Sequence, residues 1–302
     1  AAFPGDVKRQ PTAPVETLLI NGSACAILLS SDTREMLENS ETVISGIQAV
    51  LQYTGIPRAI IGIERNKPEC IDLLCSLTKD MPSIAVHPLP AVYGTGAELI
   101  LIEKCLGREV PHGGLPADAG AIVMNVTSVS CLGKYLATGM PVVSRRITID
   151  GDACAEPCNV VAPVGTSLQA LVDFAGVKEG VILGKVIAGG GMMGPAVPDL
   201  SAPTTKTSGG LLMLSAEAAA PKPVDPCIHC GRCVEYCPLG LEPVEVAAAF
   251  ARKDVDELGK LHVDYCFTCG SCAFVCPANR PVTQMMTMAK DYYMTQTKGG
   301  KK

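Results

Sequence analysis

Cys227-Ile-His-Cys-Gly-Arg-Cys-Val-Glu-Tyr-Cys-Pro238 recurs as Cys266-Phe-Thr-Cys-Gly-Ser-Cys-Ala-Phe-Val-Cys-Pro277, offset by 39 residues. Each copy reads C-x2-C-x2-C-x3-C-P, and the short spacers let one loop wrap three thiolates around the face of an iron-sulfur cube. The fourth cysteine, at a helix start, reaches away to the other centre. This spacing assigns one 4Fe-4S cluster to Cys227, Cys230, Cys233 and Cys276, and a second to Cys266, Cys269, Cys272 and Cys237. Pro238 and Pro277 stop the loops and remove competing backbone donors. Gly231 and Gly270 suit a backbone passing close to sulfide. A pair of zinc knuckles, the competing reading, uses two Cys-x-x-Cys pairs per metal and does not call for this motif. Paired centres in one small domain carry electrons without substrate chemistry, so no residue is nominated as catalytic.

Outward from the repeat, the remaining seven of the 15 cysteines are scattered through the first 158 residues. Scattered thiols read as small buried hydrophobes in a reducing compartment, not as a secreted disulfide framework. The chain is therefore expected to be intracellular. Its 302 residues, 48% hydrophobic and 18% charged, exclude a disordered chain and suggest two or three domains. A net charge of -5 gives no support for nucleic-acid binding. The most apolar stretch, Val181 to Pro198, is broken by Lys185, five Gly and two Pro, so no transmembrane segment of its own is expected.

The first 140 residues alternate strand-like and helix-like patterns. Strands are expected at Thr17 to Asn21, Arg58 to Ile63, Ser83 to Pro88 and Ala121 to Val126. Helices are expected at Asp32 to Tyr53, Pro68 to Lys79, Ala97 to Leu106 and Ser128 to Thr138. This alternation predicts an α/β domain with an open parallel sheet, over 1–140, whose ligand sits at the carboxyl ends of the strands. The loops after Ile20, around Tyr93 to Gly96 and after Asn125 are the candidate walls. Residues 141–205 read strand, strand, helix, strand, a small α+β module. A linker over 206–226, Pro-rich from Ala216, leads to the cysteine domain at 227–302, with a helix at Pro243 to Leu258 between the copies.

The strings Ala1-Ala-Phe-Pro-Gly-Asp-Val-Lys8, Ile20-Asn-Gly22, Ala59 to Glu64, Gly107 to Asp118 and Gly191-Met-Met-Gly194, together with the cysteine repeat, resemble the RnfC family of the Rnf electron transport complex. The resemblance covers essentially the whole chain and implies a member that is N-terminally truncated. It implies a flavin-binding domain like that of complex I, a soluble-ligand-binding β-grasp module, and an α-helical two-cluster ferredoxin domain. It further implies an electron-transfer subunit of an ion-translocating ferredoxin:NAD oxidoreductase, peripheral on the cytoplasmic face of the cell membrane, whose partners are NAD(H), membrane-embedded Rnf subunits and another iron-sulfur subunit.

The resemblance also places FMN in the first domain. By position, Lys8 meets the flavin phosphate, Asn21 and Gly22 line the flavin, Tyr93 and Gly96 form a second loop, and Asn125 with Ser128 a third. Phe3 stacks near the nicotinamide, and Glu98 contacts the dinucleotide. Where the family carries two carboxylates in the loop after Asn21-Gly22, this chain has Ala24 and Ala26. Two alternatives follow: a related soluble flavin and iron-sulfur reductase of cobalamin reductase type, and an electron-wire adaptor that no longer binds NADH.

Other features read more simply. Cys154 and Cys158 suggest a turn with incidental thiols, and Cys25 a packed thiol. Gly189 to Gly194 suggests a tight turn more than a phosphate cradle. His112, His229 and His262, Met192 with Met193, and Tyr292 with Tyr293 read as surface or packing residues.

Overall fold

In the computed structural model, which describes residues 14–23 and 26–298, each short apolar run of the N-terminal region becomes a strand in one parallel sheet. The strands are β1 (Thr17–Asn21), β2 (Arg58–Glu64), β3 (Ile84–Leu89) and β4 (Ala121–Asn125), in the order β3-β2-β1-β4. Leu18, Leu19, Ile20, Ile61 and Ile63 have no exposed surface. Continuous burial follows from helices on both faces, where neither side of a strand meets water. The helices are α1 (Ser31–Glu38), α2 (Ser40–Thr54), α3 (Pro68–Thr78), α4 (Glu98–Leu106) and α5 (Val126–Thr138). One core, with Met36, Ile47, Leu74 and Val129, lies against one face; Leu89, Leu101, Ile102 and Val123 form the other.

The helix expected from Asp32 to Tyr53 is two helices. Asn39, with φ -127° and ψ 28°, leaves the helical region, and its side-chain amide donates to Glu35 Oε2 at 2.9 Å. Such local side-chain bonding is how Asn competes with a helix. Beyond the break, α2 lies so close to α5 that a Cβ on Gly46 would stand 2.2 Å from the Val129 carbonyl oxygen, and one on Gly133 2.5 Å from that of Thr42.

A second sheet follows: β5 (Ser144–Asp150), β6 (Cys158–Pro163), α6 (Leu168–Ala175), β7 (Leu183–Ala188) and β8 (Gly210–Ser215), in the order β6-β5-β8-β7. The outer pairs are antiparallel, and β5 runs parallel to β8 at the centre. Two antiparallel pairs with a helix between them are the expected β-grasp arrangement. The stretch read as a linker, 206–226, differs: its residues 210–215 are a central strand, and α7 (Ala216–Ala219) follows. Leu211, Leu212 and Met213 are buried on both faces, so the run shows no alternation that would mark it as a strand.

Both sheets belong to one compact unit, Ala1–Ala219; the second unit is Ala220–Lys302. Within the first, Ser30 N–H donates to Thr148 Oγ1 at 3.1 Å and Asn159 Nδ2 donates to Ser30 Oγ at 2.9 Å, tying the α1 entrance to β5 and β6.

The second unit contains α8 (Arg232–Glu235), α9 (Pro243–Ala251), α10 (Val255–Lys260), α11 (Ser271–Phe274) and α12 (Val282–Lys298). Its core joins Cys233 and Cys272 to Leu241, Val246, Leu258, Val263 and Met286. No helix among the described residues is long and apolar enough to cross a membrane.

Candidate functional site

The order of the first sheet reverses at β1 and β4, and in an open parallel sheet the ligand crevice lies outside the carboxyl ends at such a switch point. Asn21 and Asn125, the last residues of these strands, are register partners. Asn21 Nδ2 donates to the Gly96 carbonyl at 2.7 Å, and its Oδ1 accepts from Ser23 N–H at 3.0 Å. One side chain thus joins the first and second loops. Asn125 caps α5: its Oδ1 accepts from Thr127 N–H at 2.9 Å and from Ser128 N–H at 3.3 Å. Its Nδ2 donates to Asp32 Oδ2 at 2.8 Å, and the Thr127 hydroxyl donates to the other oxygen of that carboxylate. Asp32 is a wall residue that sequence reasoning missed. Its only signal was an acid in the first turn of α1, which reads as a partner of the helix dipole.

The loops at this edge pack closely, and two glycines make that possible. Gly22 is buried, and a Cβ there would stand 2.9 Å from Met36 Sδ and 3.1 Å from the Gly62 carbonyl. A Cβ on Gly96 would come within 3.1 Å of Ser23 Oγ. That hydroxyl is buried with no partner among the described residues, an open donor beside the two glycines. Tyr93 is half-buried in the loop that leads to Gly96, and Glu98 is half-buried at the first position of α4. Phe3, Lys8, Ala24 and Cys25 lie outside the described residues. Ala26 is described: a Cβ on Gly190 would stand 2.9 Å from the Ala26 methyl. The Gly189 to Gly194 segment is closed by Gly194 N–H donating to the Gly190 carbonyl at 2.7 Å, so a tight turn packs where the sequence carries Ala26.

Beneath this edge sits a buried carboxylate. Glu35 accepts from the Ser130 hydroxyl, from Lys134 Nζ at 2.8 Å and from Asn39, and Arg146 Nε stands 3.4 Å away. Burial alone raises its pKa, but the hydrogen bond and charge of Lys134, with Ser130 and Asn39, outweigh it and hold the carboxyl below the usual range. Arg146 also pairs with Glu38 at 2.7 Å, so α1 is fastened to β5 by charge.

In the second unit, Cys227, Cys230, Cys233 and Cys276 line a single cavity of about 300 Å³ whose other walls include Val244, Ala248 and Val282. Four thiols against alkyl walls are a soft donor set suited to iron-sulfur ligation. Burial pushes the Cys233 thiol pKa up, with the nearby Cys230 and Cys227 sulfurs adding to the rise. Cys266, Cys269, Cys272 and Cys237 form the other group. Burial raises Cys266 and Cys272, and their neighbouring sulfurs, Cys237 among them for Cys266, push the same way. Holding such groups as thiolates therefore depends on a bound cation.

The repeat extends to the backbone. His229 and Thr268 take φ of 52° and 55°, Gly231 and Gly270 75° and 92°, and Gly240 and Asn279 65° and 49°. Left-handed backbone at a histidine and a threonine is strained and gathers at ligand-holding loops. Glycine at 231 answers to that conformation: nothing lies within 4 Å of its would-be Cβ. Cys154, fully buried with Cys158 packed against it, belongs to the second sheet's core. Tyr292 meets Phe250 edge-on at 5.8 Å, and Tyr293 crosses Gly259, so both pack within the helices.

Residues 1–134 match the family described as the Nuo51 FMN-binding domain, and residues 226–280 match the 4Fe-4S dicluster domain. The C subunit of the proton-translocating ferredoxin:NAD(+) oxidoreductase complex of Clostridium ljungdahlii is 38% identical over 86% of this chain and 57% of its own length. Its counterpart in the Na(+)-translocating complex of Acetobacterium woodii is 36% identical over 99% of this chain and 68% of its own. The chain thus spans little more than half to two thirds of these relatives. The NAD+-reducing [NiFe]-hydrogenase in its air-oxidized state aligns over 98% of this chain and 51% of that one, with a TM-score of 0.63 and 16% identity, a likeness of fold.

Proposed function

The chain belongs to the RnfC family, the C subunits of ion-translocating ferredoxin:NAD(+) oxidoreductase complexes, and on that premise we propose that it passes electrons between FMN at the carboxyl edge of its parallel sheet and two 4Fe-4S clusters in its C-terminal unit. Bound there, FMN supplies exchange between paired and single electrons, and the clusters supply one-electron relay. The observation that carries this reading is the cavity lined by Cys227, Cys230, Cys233 and Cys276, three cysteines of one motif with the fourth of the other. Cys266, Cys269, Cys272 and Cys237 ligate the second cluster.

Toward the flavin, Asn21 holds the second loop through Gly96, Asn125 aims the first turn of α5 at the crevice, and Ser23 offers a hydroxyl donor. Gly22 and Gly96 let the first and second loops close on β1 and β2 without a side chain between them, which keeps Asn21 and Ser23 in place at the edge. Lys8 meets the phosphate, while Phe3, Tyr93, Glu98 and Ser128 complete the flavin and nicotinamide walls. In the cell the chain serves as a peripheral subunit on the cytoplasmic face of the membrane, beside membrane-embedded subunits and another iron-sulfur subunit. The lack of a spanning helix among the described residues accords with that place. Anaerobic reconstitution tests the reading. About eight iron and one flavin per chain, with flavin bleaching on NADH addition, are expected; iron without flavin removes the flavin half.

One observation favours a second reading. The turn at Gly190 packs against the Ala26 methyl, so no carboxylate is offered at that place, and on this reading the chain acts as an electron wire without NADH. Flavin bound but unbleached by NADH, and reduced by dithionite, selects this reading.

A further inference from the structure

The two cysteine motifs share a backbone and differ in side-chain donors. At the second group, the Thr268 N–H donates to Cys266 Sγ at 3.4 Å and the Leu241 N–H to Cys237 Sγ at 3.3 Å. Added to this, Cys272 Sγ lies 3.4 Å from the Thr283 hydroxyl, and Cys269 Sγ lies 3.4 Å from that of Ser271. As free thiols these cysteines can donate; as cluster thiolates they can only accept, so both hydroxyls turn to donate. The repeat places Val244 and Arg232 at the corresponding positions of the first motif, and Val244 lines the first cavity with an alkyl surface. Among the described residues, no side-chain hydroxyl reaches Cys227, Cys230, Cys233 or Cys276.

Charge does not separate the two sites. Lys290 Nζ donates to the Cys266 carbonyl at 2.6 Å, and the half-buried Arg280 lines the first cavity. Arg232 is exposed and screened by water. Exposure separates them by one ligand, Cys230 being exposed and Cys269 half-buried. Among side-chain donors, the hydroxyls are the difference that remains, and they act in the same direction as the amides of Thr268 and Leu241. A donor aimed at thiolate sulfur stabilises the more negative, reduced state of a cluster and raises its potential.

Resting on the cluster assignment above, we propose that Ser271 and Thr283 are tuning residues that make the cluster of Cys266, Cys269, Cys272 and Cys237 the more easily reduced of the two. An electron entering the C-terminal unit then settles there, and the cluster of Cys227, Cys230, Cys233 and Cys276 is the transit centre.

The test is a redox titration of the anaerobically reconstituted chain followed by electron paramagnetic resonance, with iron counted in each sample. Thr283→Val and Ser271→Ala keep shape and delete the donor. Each should lower only the higher of the two couples, changing its reduced-to-oxidised ratio at fixed potential by about threefold to tenfold, where tenfold is about 59 mV for one electron. The reciprocal Val244→Thr should raise only the lower couple. Full iron with couples that do not move, that move together, or in which Thr283→Val shifts the lower couple overturns the inference while leaving the two-cluster reading intact. A wild-type chain that never takes up paired clusters overturns that reading itself.

Discussion

The two units bury their functional residues in opposite ways. In the N-terminal unit, Leu18, Ile20, Ile61 and Val129 form a core complete in itself, and the crevice residues Asn21 and Asn125 stand at its edge, where strands end. In the C-terminal unit the proposed ligands belong to the core: Cys233 and Cys272 are buried among Val246, Leu258 and Met286, and Cys237, Cys266 and Cys276 pack against them. A small domain whose interior is partly its metal-binding groups folds with its metal, whereas a sheet with a hydrocarbon interior does not need its ligand. Cofactor loss is therefore local damage in one unit and structural failure in the other.

Removal of iron is the strongest way to break this comparison. Chelation should cost the C-terminal unit most of its stability, on the scale of about 10 kcal/mol seen for structural metal sites. Hydrogen exchange by fragment should show protection lost over 243–298 and kept in β1 and β2; uniform loss would mean that the units fail together.

Next comes the buried carboxylate. Glu35→Ala removes the acceptor shared by Ser130, Asn39 and Lys134, while Arg146 keeps Glu38 and Lys134 regains water, and should destabilise the N-terminal unit by about 1–3 kcal/mol in denaturant titration, with cluster spectra unchanged. The same group makes that unit acid-sensitive. Its folded pKa lies below the ordinary 4.5, so its contribution is fully present above that value and is lost as the pH falls through the folded value. Glu35→Gln should flatten this acid limb.

Gly46→Ala drives a methyl group against the Val129 carbonyl and should cost about 1–3 kcal/mol through overpacking. The smallest effect on stability and the sharpest on function is expected of Asn125→Ala. Loss of the α5 cap should cost about 1 kcal/mol, while flavin affinity, measured by fluorescence quenching, should fall at least about tenfold because the Asp32 link goes too. A flavin affinity left unchanged would detach Asn125 from the site.

The strands of the first sheet were legible to within a residue or two, because short Ile, Val and Leu runs between helical patterns have few other readings. β8 was not, since a strand buried on both faces loses its alternation and Leu211-Leu-Met-Leu214 sits beside glycines that read as loop. The break at Asn39 was missed because a helical period continues through it, and only the bond to Glu35 shows which competitor wins. Asp32 and Glu35 carry no signal of such contacts in the local sequence, because their partners, Asn125, Ser130 and Arg146, lie about 90 to 110 residues away.

Sequence alone determined the chemistry of the C-terminal unit, because a cluster is held by ligands a few residues apart and short-range spacing constrains loop geometry directly. Tertiary structure alone decided the crevice, where Asn21 meets Gly96, Asn125 meets Asp32 and Gly190 meets Ala26. Those pairings depend on strand order and on loops folded back across the sheet edge, which no local pattern encodes. It also decided that Thr283, eleven residues beyond Cys272, lies against that sulfur while Val244 presents only methyl groups at the matching place. The repeat specifies two equal backbones, and packing makes them unequal.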